Sequence, residues 1–154
     1  MIVNLRKLKL VPTDEPAPEG HTFTMWSLSE QFESKLTGLA VYEVEPGQAT
    51  WPYHFELSEE EWLIVISGEL TLRTPDGEST LRAGDVACFP AGASGAHAVR
   101  NSGSETARFA MPSSVARYGD GAVYPDGGTF VVRTPGFAHR GRLGEEVPYW
   151  EGEP

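Results

Sequence analysis

The sequence contains a single cysteine, Cys88. One thiol cannot form an intramolecular disulfide, so the chain is not one of the disulfide-framework domains typical of secreted proteins. It also cannot supply the several thiolates of a zinc-finger cluster. Because Cys88 sits in an apolar run at 86–89, we expect a buried, unreactive thiol.

Basic residues are also scarce. The chain has 12 Lys and Arg against 22 Asp and Glu, which gives a net charge of -10, and its densest basic group is Arg6, Lys7 and Lys9. Proteins that bind phosphate backbones need clustered Lys and Arg, so we expect no nucleic-acid partner. The acidic excess is typical of a solvated, repulsive surface.

Long hydrophobic runs are missing. Residues 1–10 alternate basic and apolar side chains, without the apolar stretch of a signal peptide or a membrane span. We therefore expect a cytoplasmic protein without a membrane partner. The sequence also shows no internal repeat and no low-complexity region, so a solenoid or an array is not expected.

Turn-forming and apolar residues, by contrast, are plentiful. The 154 residues include 17 Gly and 12 Pro, and 40% are hydrophobic. This length and composition predict one domain built from many short strands. We divide it into an N-terminal strand and extended arm at 1–35, a barrel core at 36–115, and a C-terminal strand and tail at 116–154. Tyr149 and Trp150 are expected to pack back onto the domain.

The alternation of short apolar segments with turn residues predicts an all-β fold. Strands are expected at 22–26, 39–44, 51–56, 62–66, 69–73, 78–82, 86–89, 96–101, 107–111 and 129–134. The clearest hairpin turns at Asp76-Gly77, because this pair provides the positive φ that tight turns require. The pattern at 27–35 is a weak match to a helical turn. Strands at this spacing, without intervening helices, are typical of a barrel or a sandwich.

Imidazole and carboxylate groups cluster in the middle of the chain. His54 and Glu56 are two residues apart, so they lie on the same face of a predicted strand. Glu61 is the last of three adjacent glutamates and borders the apolar stretch at 62–66. Three adjacent carboxylates usually occupy a solvated turn, but the last of them can face inward from a buried strand.

The order of these residues resembles the first motif of the cupin superfamily, in which a glycine precedes His-x-His, a glutamate and a second glycine. The corresponding residues here are Gly47, His54, Glu56, Glu61 and Gly68. Four residues separate Glu56 from Glu61 and six separate Glu61 from Gly68, and this spacing selects Glu61 rather than its neighbour. Glu56 stands where the motif has its second histidine.

A later stretch resembles the second cupin motif, in which a glycine is followed by Pro-x-Gly, a histidine and an asparagine. The match runs through Gly84, Pro90 and Gly92 and then departs from the motif. A two-residue insertion restores it, since His97 and Asn101 then fall at the histidine and asparagine positions. The resemblance covers residues 39–111. Among cupins, the sequence resembles the small single-domain bacterial members.

This resemblance implies a double-stranded β-helix, a jelly-roll barrel, in which His54, Glu56, Glu61 and His97 converge on one metal ion. Cupins hold iron, manganese, nickel, copper or zinc. The carboxylate of Glu56 shifts the expectation away from copper toward divalent Fe, Mn, Zn or Ni, because two imidazoles with one or two carboxylates suit hard or borderline cations. The alternative is that loss of the second histidine has left a barrel without a metal.

Other polar and aromatic residues have simpler interpretations. The aromatic residues expected in the core are Trp51, Trp62 and Phe89. His21 and His139 lie in loop-like surroundings and are expected at the surface. Arg133 and Arg140 could bind an anionic ligand together, but solvated arginines are the expected interpretation. Asn101 is expected to satisfy local backbone groups.

Three functional hypotheses follow from the resemblance. The first is a metal-dependent enzyme that acts on a small polar metabolite, although the fold cannot choose among oxygenase, isomerase and lyase chemistry. If Glu56 is not a ligand, it becomes the natural proton acceptor. The second is a non-catalytic cupin that binds a sugar or an organic acid, and the third is a dimeric module with a vestigial site. A homodimer is expected through the alternating apolar segment at 2–11.

Overall fold

The computed structural model describes residues 2–13, 16–144 and 146–152. Within these ranges nearly all of the regular secondary structure is strand, which confirms the all-β prediction. The strands are β1 (Val11–Pro12), β2 (Phe23–Ser27), β3 (Thr37–Val44), β4 (Phe55–Glu56), β5 (Glu61–Ser67), β6 (Glu69–Thr74), β7 (Gly77–Arg82), β8 (Val86–Phe89), β9 (Ala98–Arg100), β10 (Ala107–Ser114), β11 (Asp120–Tyr124), β12 (Thr129–Thr134) and β13 (Phe137–Arg142).

The strands pair antiparallel in three sheets. The six-stranded sheet has the order β1-β2-β3-β10-β5-β8, the four-stranded sheet β13-β12-β11-β4, and the three-stranded sheet β7-β6-β9. This arrangement is consistent with a jelly roll, but the sheets do not close into one continuous hydrogen-bonded barrel. Crossovers such as β10 between β3 and β5 bring segments that are distant in sequence side by side.

The main core is built from the six-stranded and three-stranded sheets. Its buried side chains are Phe23, Tyr42, Val44, Leu63, Val65, Leu70, Leu72, Phe89, Val99, Ala107, Phe109 and Met111. Phe109, which is fully buried, stacks on Tyr42 with ring centroids 5.0 Å apart. Two of the three aromatic residues expected in the core are found there, since Phe89 is a member and Trp51 packs against it.

Alternation along β5 separates the core from the outer surface. Leu63 and Val65 are buried, whereas Trp62 and Ile64 are 42% and 37% exposed. Cys88 lies opposite Trp62 in β8 and is also exposed. The expectations of a buried Cys88 and a core Trp62 are therefore wrong, because an uninterrupted apolar sequence does not show which alternate side chains face outward.

A second apolar cluster covers part of the outer face of the six-stranded sheet. The N-terminal side chains packed against it are Val3, Leu5, Leu8 and Leu10. Its buried members include Val41 and Ala110. Arg108 fixes this segment, because its guanidinium donates to the carbonyl oxygens of Leu5 at 2.5 Å and Leu8 at 3.1 Å. These four apolar residues thus pack on their own chain, whereas Ile2 and Val11 are exposed. Dimerisation stays a prediction.

Helical structure is almost absent from the described residues. The weak pattern at 27–35 corresponds to a four-residue helix, α1 (Leu28–Gln31). Ser27 caps this helix, since its side-chain oxygen accepts a hydrogen bond from the backbone N–H of Glu30 at 3.2 Å. Among the helices described, none has the length and apolar character needed to cross a membrane.

The C-terminal part contains two strands that the sequence pattern did not predict. β11 and β13 flank β12, and β11 also pairs with β4, which carries Glu56. β11 was not predicted because glycines, which are unfavourable in strands, lie within and beside it. Gly119 has φ +127°, and a Cβ there would lie 2.5 Å from the Arg133 carbonyl oxygen, so only glycine fits. Tyr149 and Trp150 are 87% and 75% exposed, so the expectation that they pack back onto the domain is wrong.

Candidate metal centre

The two histidines singled out from the sequence meet in an isolated antiparallel bridge. The His54 N–H donates to the His97 carbonyl oxygen at 3.1 Å, and the His97 N–H donates to the His54 carbonyl oxygen at 2.8 Å. His54 lies just before β4 and His97 just before β9. The bridge therefore connects the four-stranded sheet to the three-stranded sheet at the site itself.

A tight turn positions His97. The insertion in the second motif forms part of a 3-10 turn at Ala93–Gly95. The turn packs directly on Pro90, because a Cβ on Gly95 would lie 1.9 Å from the Pro90 carbonyl oxygen. Gly92, just before the turn, has φ +89°, a conformation that favours glycine. The extra residues are absorbed in this turn, and His97 comes to lie beside His54.

Three of the four residues predicted as ligands form one cluster. One ligand atom from each of His54, Glu61 and His97 lies within 4.8 Å of the others. His54 and His97 are buried, and Glu61 enters from the first residue of β5. Glu56 lies beside the cluster rather than within it, with its Oε1 3.5 Å from Nε2 of His54.

Backbone carbonyl groups fix the tautomer of both rings. Nδ1 of His54 lies 2.7 Å from the Pro52 oxygen, and Nδ1 of His97 lies 3.0 Å from the Gly95 oxygen. A carbonyl oxygen only accepts, so Nδ1 carries the proton and the lone pair remains on Nε2. Burial lowers the pKa of both imidazoles, and for His97, where His54 adds to the effect, the pKa falls to about 4. Both rings are therefore neutral at pH 7.

The carboxylate of Glu61 lies beside these imidazole lone pairs, and no described residue donates a hydrogen bond to its Oε2. This oxygen is buried and lies 3.5 Å from Nε2 of His97. Burial, followed by the charges of Glu59 and Asp120, raises the pKa of Glu61 to about 7. A carboxylate oxygen and an imidazole lone pair repel each other unless a proton or a cation lies between them. The donor set therefore fits a divalent cation.

Aromatic rings hold the two imidazoles in place. Phe89 stacks on His97 with ring centroids 3.8 Å apart and an interplanar angle of 9°. The ring of Tyr124 lies 5.6 Å from that of His54 at 24°. These contacts restrict ring rotation and keep both Nε2 atoms directed at the cluster. Tyr124 belongs to β11, and the short apolar run at 122–124 was the one sequence signal that could have revealed this strand.

Glu56 links the cluster to a further carboxyl group. It lies opposite Ala122 of β11, the strand that also carries Asp120. Burial, then the hydrogen bond with Asp120 and the charge of Glu61, raises the pKa of Glu56 to about 9. Without a metal, Glu56 therefore holds a proton at neutral pH, at the edge of the cluster, where it can be exchanged with a bound molecule.

The site opens into a cavity of about 800 Å³ whose wall includes His54, Glu56 and Glu61. A cavity of this size accommodates a small metabolite. His21 also lines the cavity and is partly buried, with Nδ1 2.6 Å from the Thr50 oxygen, so the expectation of a surface histidine is wrong there. No local pattern shows this contact, because it joins segments that are distant in sequence. His139 is exposed, as expected.

The central part of the chain matches a known protein family. A family model described as the cupin domain matches residues 40–112, which contain both histidines and both glutamates of the site. This stretch, just under half of the chain, is similar to the cupin domain. The resemblance drawn from the two motifs is confirmed, and cupins commonly bind divalent metals. A comparison with curated proteins gave no match.

Solved structures share the fold of this chain over most of its length. A proposed sugar phosphate isomerase from Acidithiobacillus ferrooxidans has a TM-score of 0.80 at 24% identity, covering 90% of this chain and 88% of that one. A cupin-superfamily sugar phosphate isomerase from Silicibacter pomeroyi has a TM-score of 0.80 at 21% identity, covering 97% and 98%. A proposed oxalate decarboxylase from Thermotoga maritima has a TM-score of 0.63 at 19% identity, covering 75% and 100%. Likeness at these identities shows the double-stranded β-helix fold alone.

Proposed function

We propose that this cupin is a divalent-metal-dependent enzyme that acts on a small polar metabolite. In this proposal His54, Glu61 and His97 are the metal ligands, and Glu56 is the acid–base group. The observation that carries it is that one nitrogen of His54, one nitrogen of His97 and one carboxylate oxygen of Glu61 lie within 4.8 Å of one another. Within the described residues, Oε2 of Glu61 has no hydrogen-bond partner. Two imidazoles and one carboxylate are a recurrent ligand set of catalytic metal sites.

The donor atoms favour Fe, Mn, Zn or Ni, because they are nitrogen and oxygen without a thiolate. Three protein ligands leave coordination positions for a substrate. A bound ion of this kind supplies Lewis acidity, which polarises a carbonyl or hydroxyl oxygen. The carbonyl groups of Pro52 and Gly95 already hold both histidines in the required tautomer, so the rings need no rearrangement before they bind.

Glu56 favours isomerase or lyase chemistry over oxygenase chemistry, because it provides a proton carrier beside the cluster. As a carboxylate it takes a proton from a carbon next to the substrate carbonyl. As an acid it gives that proton to the former carbonyl carbon, while the proton of the adjacent hydroxyl group moves to the carbonyl oxygen. In an elimination it instead protonates a hydroxyl group, which leaves as water as the carbon–carbon double bond forms. A positive charge in the cluster favours the carboxylate and lowers the pKa of Glu56 from about 9 toward neutrality. The description of two structural relatives as sugar phosphate isomerases supports this reaction class.

Hydrogen exchange at substrate carbon tests the proposal. Metal-loaded protein is incubated in D2O with a panel of small hydroxyaldehydes and hydroxyketones, and loss of the C–H signal beside the carbonyl is followed by proton NMR. We expect exchange with the wild type. Glu56→Gln should keep its metal but slow exchange by about a hundredfold or more. Glu146→Gln changes an exposed glutamate outside the cavity wall and should have no effect.

Two results would count against this function. Exchange that proceeds equally fast in the Glu56→Gln variant would remove Glu56 from the acid–base role. A wild-type protein that binds members of the panel without exchanging any of them would favour the non-catalytic, ligand-binding alternative.

A further inference from the structure

Arginines line the cavity of a protein whose net charge is -10. These residues are Arg73, Arg100, Arg133 and Arg140. Two of them are neutralised at the cavity wall. Arg73 donates to the two carboxylate oxygens of Asp126 at 2.5 and 3.0 Å, and Arg100 donates to Glu78 at 2.7 Å. The other two have no carboxylate partner within the described residues.

Arg133 and Arg140 share one face of the β12–β13 hairpin. Arg133 pairs with Ala138 and Arg140 pairs with Val131, so the two arginines are diagonal neighbours on the same side. Diagonal neighbours of this kind have Cα atoms about 7–8 Å apart, a separation that long side chains can bridge. Both arginines are exposed to solvent and both line the cavity, so this face forms part of the cavity wall.

A short row of contacts connects this arginine pair to the metal cluster. The guanidinium carbon of Arg140 lies 5.7 Å from the ring centroid of Tyr124. The Tyr124 ring in turn lies 5.6 Å from the ring of His54. The cavity therefore has a metal-binding end at His54 and a cationic end at Arg140, and the Tyr124 ring is a neighbour of both.

We propose that Arg133 and Arg140 form a subsite for the anionic group, phosphate or carboxylate, of the metabolite whose other end reaches the metal cluster. This inference rests on the proposed function and deepens it, because it makes the substrate an anionic metabolite of only a few carbon atoms. Guanidinium groups bind both kinds of oxyanion through paired, charge-assisted hydrogen bonds. In a cavity of about 800 Å³ both ends can be engaged at once.

Asp120 pairs directly with Arg133 across β11 and β12, so its carboxylate could compete with a ligand for the Arg133 guanidinium. Its Oδ1 instead accepts a hydrogen bond from the backbone N–H of Ser58 at 2.9 Å, and it also interacts with Glu56. Asp120 is thus engaged on the side of β4, which leaves the Arg133 guanidinium for a ligand.

Anion binding to the metal-free protein tests the subsite. Chelator-treated protein is titrated with inorganic phosphate and, separately, with acetate, by calorimetry at one low ionic strength. We expect saturable binding of at least one of the two anions. Arg133→Gln and Arg140→Gln should each weaken it by about fivefold or more, and the double variant should abolish it. Arg117→Gln changes an exposed arginine outside the cavity wall and should leave it unchanged.

The comparison of the two anions shows whether the subsite prefers phosphate or carboxylate. Binding of either anion supports the subsite. Wild-type protein that binds neither anion would overturn the inference, and so would binding that survives in the double variant. Thermal melting of each variant confirms that the fold is retained. Because the titration contains no metal, its outcome is independent of metal uptake, so failure of the subsite and failure of the proposed function are observed separately.

Discussion

His54 and His97 are paired through both backbone and side chain. Their backbones exchange hydrogen bonds of 3.1 and 2.8 Å, and their ring centroids lie 4.8 Å apart. The geometry of the candidate metal centre therefore depends on the registration of two chain segments. A change that shifts either backbone segment should alter the site even when every ligand is retained.

Gly95→Ala should weaken metal binding without removing a ligand. A Cβ at this position would lie 1.9 Å from the Pro90 carbonyl oxygen, so the turn before His97 must shift. We expect the metal affinity to fall by about tenfold or more, as it does when ligand orientation is disturbed. Equilibrium dialysis measures this change. Gly144→Ala, where no heavy atom lies within 4 Å of the added Cβ, is the matched control. Equal affinities in the two variants would show that the turn does not set the position of His97.

The metal-free protein should lose stability as the pH rises from about 7 to about 8.5. In the folded protein the pKa of Glu56 is about 9, raised from 4.5, so the folded state keeps a proton that the unfolded chain has released. This stabilisation is complete below the unfolded value and disappears as the pH approaches 9. The free energy of unfolding should therefore fall by up to about 1.4 kcal/mol per pH unit.

Within the site, Glu56 makes the largest contribution to the pH dependence in this window. The pKa values of His54 and His97 are lowered, so both rings titrate below the window. Glu61, with a pKa of about 7, loses the rest of its proton in the lower part of the window, and Glu56 accounts for the change in the upper part. Urea denaturation of the chelated protein at both pH values gives the measurement. Glu56→Gln should flatten the pH dependence, while Glu146→Gln should preserve it. A wild-type stability that stays level or rises over this range would contradict the protonated state of Glu56.

Cys88 should react with a thiol reagent in the native protein. It is exposed on the outer face of β8, opposite Trp62, and it does not point toward the metal cluster. Slight burial and the charge of Glu60 raise the pKa of the thiol, so the reaction should accelerate at higher pH. We expect about one equivalent of label without denaturant and no change in metal content. Labelling that requires denaturant would show that Cys88 faces the core rather than the solvent. Cys88→Ser is the negative control for labelling.

The sequence predicted the elements whose signals are local. The two motifs identified His54, Glu61 and His97, which the structure brings together. Asn101 was expected to satisfy backbone groups, and its Nδ2 donates to the oxygens of Val44 at 2.7 Å and Glu105 at 2.9 Å. In each case the residue type and its spacing carry the information, because the backbone around the residue allows few alternatives.

Features that depend on strand facing and on distant contacts could not be predicted. The apolar run at 62–66 does not reveal that Trp62 faces outward, since every residue in it is compatible with a buried strand. Glycines around β11 hid the strand that carries Asp120 and Tyr124. Without β11, neither the hydrogen bond of Glu56 with Asp120 nor the Tyr124 ring between Arg140 and His54 can be derived from the sequence.

The metal content of protein purified without chelator tests the central claim most directly. Elemental analysis by mass spectrometry should find about one equivalent of Fe, Mn, Zn or Ni in the wild type. His97→Ala and Glu61→Gln should each retain less than about a tenth of an equivalent. His139→Ala removes an exposed histidine and should retain the wild-type content. Less than about a tenth of an equivalent in the wild type, or full occupancy in His97→Ala, would contradict a metal centre built on His54, Glu61 and His97.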